Sequence, residues 1–134
     1  MVSTVLFIDM KQSTVLIVED SPYLAESLQD LLEMNDFTAI VAPNGKQGVA
    51  LALQHKPDLI LLDIRLPDIT GYDVFNQIRS DEEWGKNASI SILTASESID
   101  TISKNINLPI ENVLFKPDWS LGDLLVHIKK RVVE

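Results

Sequence analysis

Five short apolar runs, each with little polar alternation, constrain this chain more than any other feature. They are Thr14 to Val18, Thr38 to Ala42, Leu59 to Leu62, Ile90 to Thr94 and Val113 to Phe115. Runs of this kind suit strands buried on both faces, and such strands belong to a parallel sheet covered by helices. The stretches between them carry apolar residues at helical spacing. Leu24, Leu28, Leu31 and Leu32 form one face after a Ser21-Pro22 start, where serine suits the N-cap and proline the first turn. Val49, Ala50, Ala52 and Leu53 mark a second helix within Lys46 to Gln54, and Tyr72, Val74, Phe75 and Ile78 a third after Gly71. Ile99, Ile102 and Ile106 mark a weaker fourth. Leu121, Leu124, Leu125, Ile128 and Val132 mark a fifth, with Lys129, Lys130 and Arg131 in its last turns, where cations suit the helix dipole.

This spacing predicts an α/β fold, a single (βα)5 doubly wound parallel sheet closed by right-handed crossovers. A chain of 134 residues is one ordinary domain, large enough to bury a core without staples. Its lack of cysteine excludes a disulfide framework and thiolate metal sites. The net charge of −9 argues against direct binding to nucleic acid or an anionic membrane, both of which reward Lys and Arg. No apolar run approaches the roughly 18–20 residues that span a bilayer. The N-terminus lacks the basic, apolar and small-residue succession of a secretory signal, so a cytoplasmic location is expected.

In doubly wound sheets ligands bind beyond the carboxyl ends of the strands. Those ends carry Glu19 and Asp20 after the first strand, Asp63 after the third, Thr94 after the fourth and Lys116 after the fifth. Three converging carboxylates repel one another. A hard divalent cation with oxygen ligands offsets that repulsion, and Mg²⁺ accepts one or two carboxylates while keeping sites for water and phosphate oxygens. Lys116 can hold a further anion as a point charge, and Thr94 can donate one hydrogen bond. Taken singly, each residue has an ordinary reading as a solvated loop acid, a strand-end threonine or an exposed lysine. Together they describe a pocket for a group with several charged oxygens, a phosphoryl group.

In chain order stand Val15-Leu16-Ile17-Val18-Glu19-Asp20-Ser21, the run from Pro57 to Asp68, Gly71-Tyr72-Asp73, Leu93-Thr94-Ala95 and Lys116-Pro117. With these motifs the chain resembles the CheY-like receiver domain of two-component response regulators over about residues 13 to 133. The resemblance implies the flavodoxin-like strand order 2-1-3-4-5. It implies that Asp63 is the phosphoacceptor nucleophile, served by a histidine kinase or phosphotransfer protein. Asp20, Asp63 and the backbone carbonyl of Arg65 would ligate Mg²⁺, with Glu19 acting through water. Lys116 would pair with the phosphoryl group or the Asp63 carboxylate. Thr94 would turn inward to a phosphoryl oxygen, with the small Ala95 leaving room. The Lys116-Pro117 bond is a cis candidate. The implied output is a shift of the surface made by the fourth helix, fifth strand and fifth helix, presented to an unidentified partner or to a second copy in a homodimer. Such a protein is a phosphoacceptor and not a turnover enzyme.

The sequence departs from the family at Val113, where members usually carry an aromatic residue three positions before the lysine; Val113 is expected to pack as a core strand residue. Trp119 is expected at the start of the last helix, near the rim of the site. Trp84 reads as loop-borne, an exposed anchor or a lid, and His55 and His127 stand too far apart in the pattern for a metal site. Ser3 to Met10 nearly repeats Ser13 to Asp20 at an offset of ten. Only the second copy delivers two acids and a helix start, so residues 1–12 are expected as an N-terminal extension and 13–134 as the receiver domain. Val5 to Ile8 has an alternative role as an added edge strand. Two enzyme-like readings fare worse. A phosphate-ester hydrolase needs an acid two residues after its nucleophile, where Arg65 stands, and a nucleotide or flavin carrier needs a glycine-rich loop after the first strand. A pseudo-receiver that only binds partners is the remaining alternative.

Overall fold

A computed structural model describes residues 12–95, 97–108, 112–116 and 120–133. Five parallel strands, β1 (Thr14–Val18), β2 (Thr38–Ala42), β3 (Leu59–Asp63), β4 (Ile90–Thr94) and β5 (Val113–Phe115), form one sheet in the order β2-β1-β3-β4-β5. Five helices connect and close them: α1 (Pro22–Met34), α2 (Gly45–His55), α3 (Gly71–Arg79), α4 (Ile99–Asn105) and α5 (Leu121–Val133). This is the doubly wound architecture and strand order expected above. Among the described residues no helix is long and apolar enough to cross a membrane. The Lys116-Pro117 bond, Trp119 and residues 1–11 lie outside the described residues.

Period-2 alternation divides the core in two. Leu16, Val18, Ile60, Leu62 and Ile92 face Ala52 of α2, Val74, Phe75 and Ile78 of α3, and Ile102 of α4. Val15, Ile17, Leu59, Leu61 and Leu93 face Leu28 and Leu32 of α1 and Leu124 and Ile128 of α5. All five residues of β3 are buried, which is why its sequence shows no polar alternation. Burying a side chain such as Leu61 or Leu62 stabilises the fold by about 1.5–3 kcal/mol. Val113 packs against the first of these clusters, as a core strand residue.

The helix starts follow local chemistry. Ser21 caps α1, its hydroxyl accepting from the Leu24 N–H at 3.4 Å, with Pro22 in the first turn. Asn44 caps α2, and Thr70 with Asp73 forms a capping box on α3. Three details differ from the periodicity. In α2 the buried positions are Gly45, Gly48 and Ala52, while Ala50 is exposed and Leu53 is 37% exposed. This helix lies so close to β1 that a Cβ on Gly48 would meet Val18 Cγ1 at 2.8 Å. Leu121 is 42% exposed, because α5 turns its Leu124 and Ile128 side inward. Trp84 is no exposed anchor. It is half-buried against the core, in a turn held by Asp81, whose carboxylate accepts from the N–H groups of Trp84 and Gly85.

Candidate functional site

Strand register brings the predicted residues together. Val18 pairs with Leu62 and Asp63 with Leu93, so the residue after β1 and the last residue of β3 lie side by side at the carboxyl edge. Glu19, Asp63 and Lys116 share the parity of Ile17, Leu61 and Leu114, which face α1 and α5. Their side chains therefore converge on one side of the sheet. Lys116 Nζ donates to Glu19 Oε1 at 2.8 Å and to Asp63 Oδ2 at 3.2 Å. Glu19 Oε2 accepts from the Ser21 N–H at 3.1 Å, and Asp63 Oδ1 from the Arg65 N–H at 3.2 Å.

Glu19 and Asp63 are buried, at 2% and 5% exposure, while Asp20 is exposed beside them. Each of the three acids offers one carboxylate oxygen, all within 4.8 Å of one another. Burial pushes the Glu19 carboxyl up, and the charge of Asp63 adds to this against the opposing Lys116 and Ser21 N–H. Burial pulls the Lys116 ammonium down, but its bonds to Glu19 and Asp63 and their charges outweigh that, leaving it above its usual value and firmly protonated. One ammonium facing three carboxylates leaves a negative excess. That excess, open to solvent on the Asp20 side, suits a hard divalent cation.

Thr94 is buried at 1% exposure, but its parity is that of Ile90 and Ile92, toward the α3 and α4 side. No hydrogen bond joins it to Asp63 or Lys116 among the described residues. Its Oγ1 accepts from the Glu97 N–H at 3.1 Å, so its own hydroxyl proton remains available. The glycine that opens α3 is sterically required: a Cβ on Gly71 would meet the Asp63 carbonyl oxygen and would lie 2.7 Å from Ile64 Cα, and the Gly71 N–H donates to Ile64 O at 2.7 Å. Gly71 thereby pins the loop that leaves Asp63.

Several residues of the neighbourhood were not legible as such. Asp68 accepts from the N–H groups of Gly45 and Lys46 at 2.8 and 2.9 Å, tying the loop after β3 to the start of α2. Burial opposes the charged form, but these N–H groups prevail and lower the Asp68 carboxyl to about 2. Glu97 pairs with Arg65, Oε1 to Nε at 3.1 Å. His127, half-buried on α5, hydrogen-bonds the buried Ser91 of β4 at 2.8 Å, a packing role in place of a metal one. Nothing in local pattern marks Glu97 or Ser91, and Asp68 stands just before α3, which Thr70 caps, so its tie to the start of α2 is not a local signal either.

The model of the response regulator receiver domain matches residues 15–129. The chain belongs to that family. This receiver domain is 36% identical over 115 residues to the transcriptional regulatory protein CusR of Escherichia coli, an alignment covering 86% of this chain and 49% of that protein. It is 36% identical over 88 residues to protein PilH of Pseudomonas aeruginosa, covering 66% of this chain and 73% of PilH. The chain spans about half the length of most of the curated relatives it matches. Among solved structures, the receiver domain of the sensor histidine kinase PA1611 of Pseudomonas aeruginosa, described with a magnesium ion in its active-site cleft, superposes with a TM-score of 0.80 over 92% of this chain and all of that one. At 24% identity that likeness is one of fold. TrrA of Thermotoga maritima, solved as a Mg²⁺–BeF complex, is 27% identical with a TM-score of 0.74 over 90% of this chain and 99% of that one.

Proposed function

We propose that this receiver domain, residues 13–134 with residues 1–12 as an extension, takes a phosphoryl group on Asp63 from a histidine kinase or phosphotransfer protein in the cytoplasm, in a Mg²⁺-dependent reaction. The observation that carries this is the Lys116 bridge between two buried carboxylates, with an oxygen of the exposed Asp20 within 4.8 Å of both. A carboxylate oxygen of Asp63 attacks phosphorus, the P–N bond to the donor imidazole breaks, and a P–O bond to Asp63 forms. Such a step needs positioning and charge neutralisation more than covalent help.

This chain's own residues supply much of that. The Arg65 N–H and Lys116 hold the Asp63 carboxylate at both oxygens, which fixes its direction of attack. Lys116 stays charged and is placed to exchange Asp63 for a phosphoryl oxygen. The Thr94 hydroxyl is the donor in reserve. Glu19, Asp20, Asp63 and the Arg65 backbone carbonyl would hold Mg²⁺, with Glu19 acting through water. When bound, the ion shields the incoming phosphoryl oxygens from the three acids. The acyl phosphate carries about −1.5 to −2 charges in place of the single charge of the Asp63 carboxylate, and drawing Thr94 toward the phosphoryl oxygens shifts the connection after β4. The output surface is then α4, β5 and α5, offered to a partner or to a second copy in a dimer.

The test is incubation with acetyl phosphate, with and without Mg²⁺, followed by intact mass. One added phosphoryl group is expected, requiring Mg²⁺ and absent in Asp63→Asn. No uptake under any condition would point to a pseudo-receiver that acts by binding alone, and uptake surviving in Asp63→Asn would move the nucleophile elsewhere.

A further inference from the structure

Three hydrogen bonds cross the mouth of the site from Asp63 to Thr94. The Arg65 N–H donates to Asp63 Oδ1 at 3.2 Å, Arg65 Nε donates to Glu97 Oε1 at 3.1 Å, and the Glu97 N–H donates to Thr94 Oγ1 at 3.1 Å. Arg65 lies on the connection from β3 to α3 and Glu97 on the connection from β4 to α4. Their ion pair therefore joins two loops that leave neighbouring strands at the carboxyl edge. The Glu97 side chain is sheltered at 21% exposure, whereas that of Arg65 is 72% exposed, so the cation reaches over the acid from the solvent side. Tyr72, in the first turn of α3, carries a buried hydroxyl with no hydrogen-bond partner among the described residues. Burial, and after it the charge of Glu97, raises that phenol above its usual range, which places Tyr72 at the same corner.

We infer that Glu97 is a positioning residue for the response of this receiver: through Arg65 it clasps the connection after β4 in place, and through its own N–H it occupies the Thr94 hydroxyl. A phosphoryl group on Asp63 attracts the Thr94 hydroxyl, and Thr94 turns only as it gives up the Glu97 N–H. Once that anchor moves, the Arg65–Glu97 pair opens with it. The clasp is a property of the unphosphorylated chain; its bearing on signalling rests on the reading of Asp63 as phosphoacceptor. An exposed ion pair shifts a two-state population by about twofold to fivefold. That is enough to bias a switch and too little to lock it.

The experiment uses the full chain as wild type, Glu97→Gln, Arg65→Gln and the double variant. Amide hydrogen exchange at position 97, corrected for intrinsic rate, reads the opening of the clasp without any phosphorylation. Each single variant is expected to exchange about twofold to fivefold faster, and the double variant no faster than either single one. The affinity for beryllofluoride with Mg²⁺, a phosphoryl mimic, is expected to rise by a similar factor in each. Unchanged exchange in both single variants, or a double variant equal to the product of the two, overturns the clasp. Faster exchange with unchanged beryllofluoride affinity overturns its link to the response. A wild-type protein that takes neither phosphoryl nor beryllofluoride sinks the phosphoacceptor reading instead, and the exchange rates still decide the clasp.

Discussion

Replacing Lys116 by methionine keeps the length of the side chain and deletes its charge, which isolates what the ammonium does between Glu19 and Asp63. At an effective dielectric constant of 20, its contacts at 2.8 and 3.2 Å are worth about 6 and 5 kcal/mol of gross attraction. Desolvation of three charges cancels most of that sum. Removing one partner from a buried pair costs about 3–5 kcal/mol net. The Lys116 side chain is 22% exposed, so water screens part of the interaction and the lower end, about 3 kcal/mol, is expected. For a domain of this size that is a fall in Tm of about 10 °C. Urea melts at pH 7 in EDTA measure it directly. In an Asp63→Asn background one of the two stranded charges is already gone, and the loss should fall to about half. The deficit should also narrow as pH drops from 7 toward 5, because burial and the charge of Asp63 already hold Glu19 above its usual value and its protonation removes the repulsion. In the wild type the Lys116 contribution has the opposite pH sense: its raised pKa makes the stabilisation complete below about pH 10.5 and lost as pH climbs past the folded value. A loss under about 1 kcal/mol for Lys116→Met, the range of exposed pairs, would refute the claim that water screens this pocket only in part.

Three further outcomes follow from named contacts. Gly71→Ala forces a Cβ onto the Asp63 carbonyl and Ile64 Cα, backbone atoms that cannot yield; a loss of about 1–3 kcal/mol is expected in denaturant melts, with slower phosphoryl uptake than Asp63 achieves in the wild type. Asp68→Asn should lower Tm at neutral pH, and the gap to wild type should close between about pH 4 and 2. The folded pKa of about 2 lies below the ordinary 3.8, so its stabilisation is present above 3.8 and lost as pH falls through 2. Burial, then the charges of Arg131 and Lys130, hold His127 below its ordinary 6.5. Keeping His127 neutral therefore adds stability above pH 6.5 that is lost as pH falls through the lowered value, a slope that His127→Gln should remove from a plot of Tm against pH.

The central strands β1, β3 and β4 were legible because they are buried on both faces, and a run such as Leu59 to Leu62 has no other economical place in a chain with helices on either side. The edge strands β2 and β5 are only partly buried and were legible from their short β-branched and apolar runs. The site was legible for a related reason: the carboxyl edge collects the residues at and just beyond each strand's end, so reading the end of each run assembled Glu19, Asp20, Asp63, Thr94 and Lys116 at one edge of the sheet. Helix faces were legible only where large residues do the packing. In α2 the fully buried positions are Gly45, Gly48 and Ala52. Of the pattern Val49, Ala50, Ala52 and Leu53, Ala52 is buried and Val49 packs against the core, whereas Ala50 and Leu53 face outward. The two glycines escaped notice, since close approach selects for the absence of a side chain.

The contacts that join one strand end to the next escaped local pattern for a different reason. Arg65 and Glu97 are 32 residues apart and Ser91 and His127 are 36 apart; the first pair exists because two connections leave neighbouring strands side by side, the second because α5 lies against β4. Parity decides what these ends can do. Glu19, Asp63 and Lys116 share one face and bond through Lys116, whereas Thr94 points to the other and, among the described residues, is linked to Asp63 through Glu97 and Arg65. The acids and the ammonium are thus preassembled, which favours capture of a cation and an anion together, while the hydroxyl is held apart by a contact weak enough to break. A receiver whose Thr94 already bonded Asp63 would have nothing left to move when the phosphoryl group arrived. On the proposed function, the separation of Thr94 from the charged cluster would let a phosphoryl group on Asp63 be read on the surface of α4, β5 and α5.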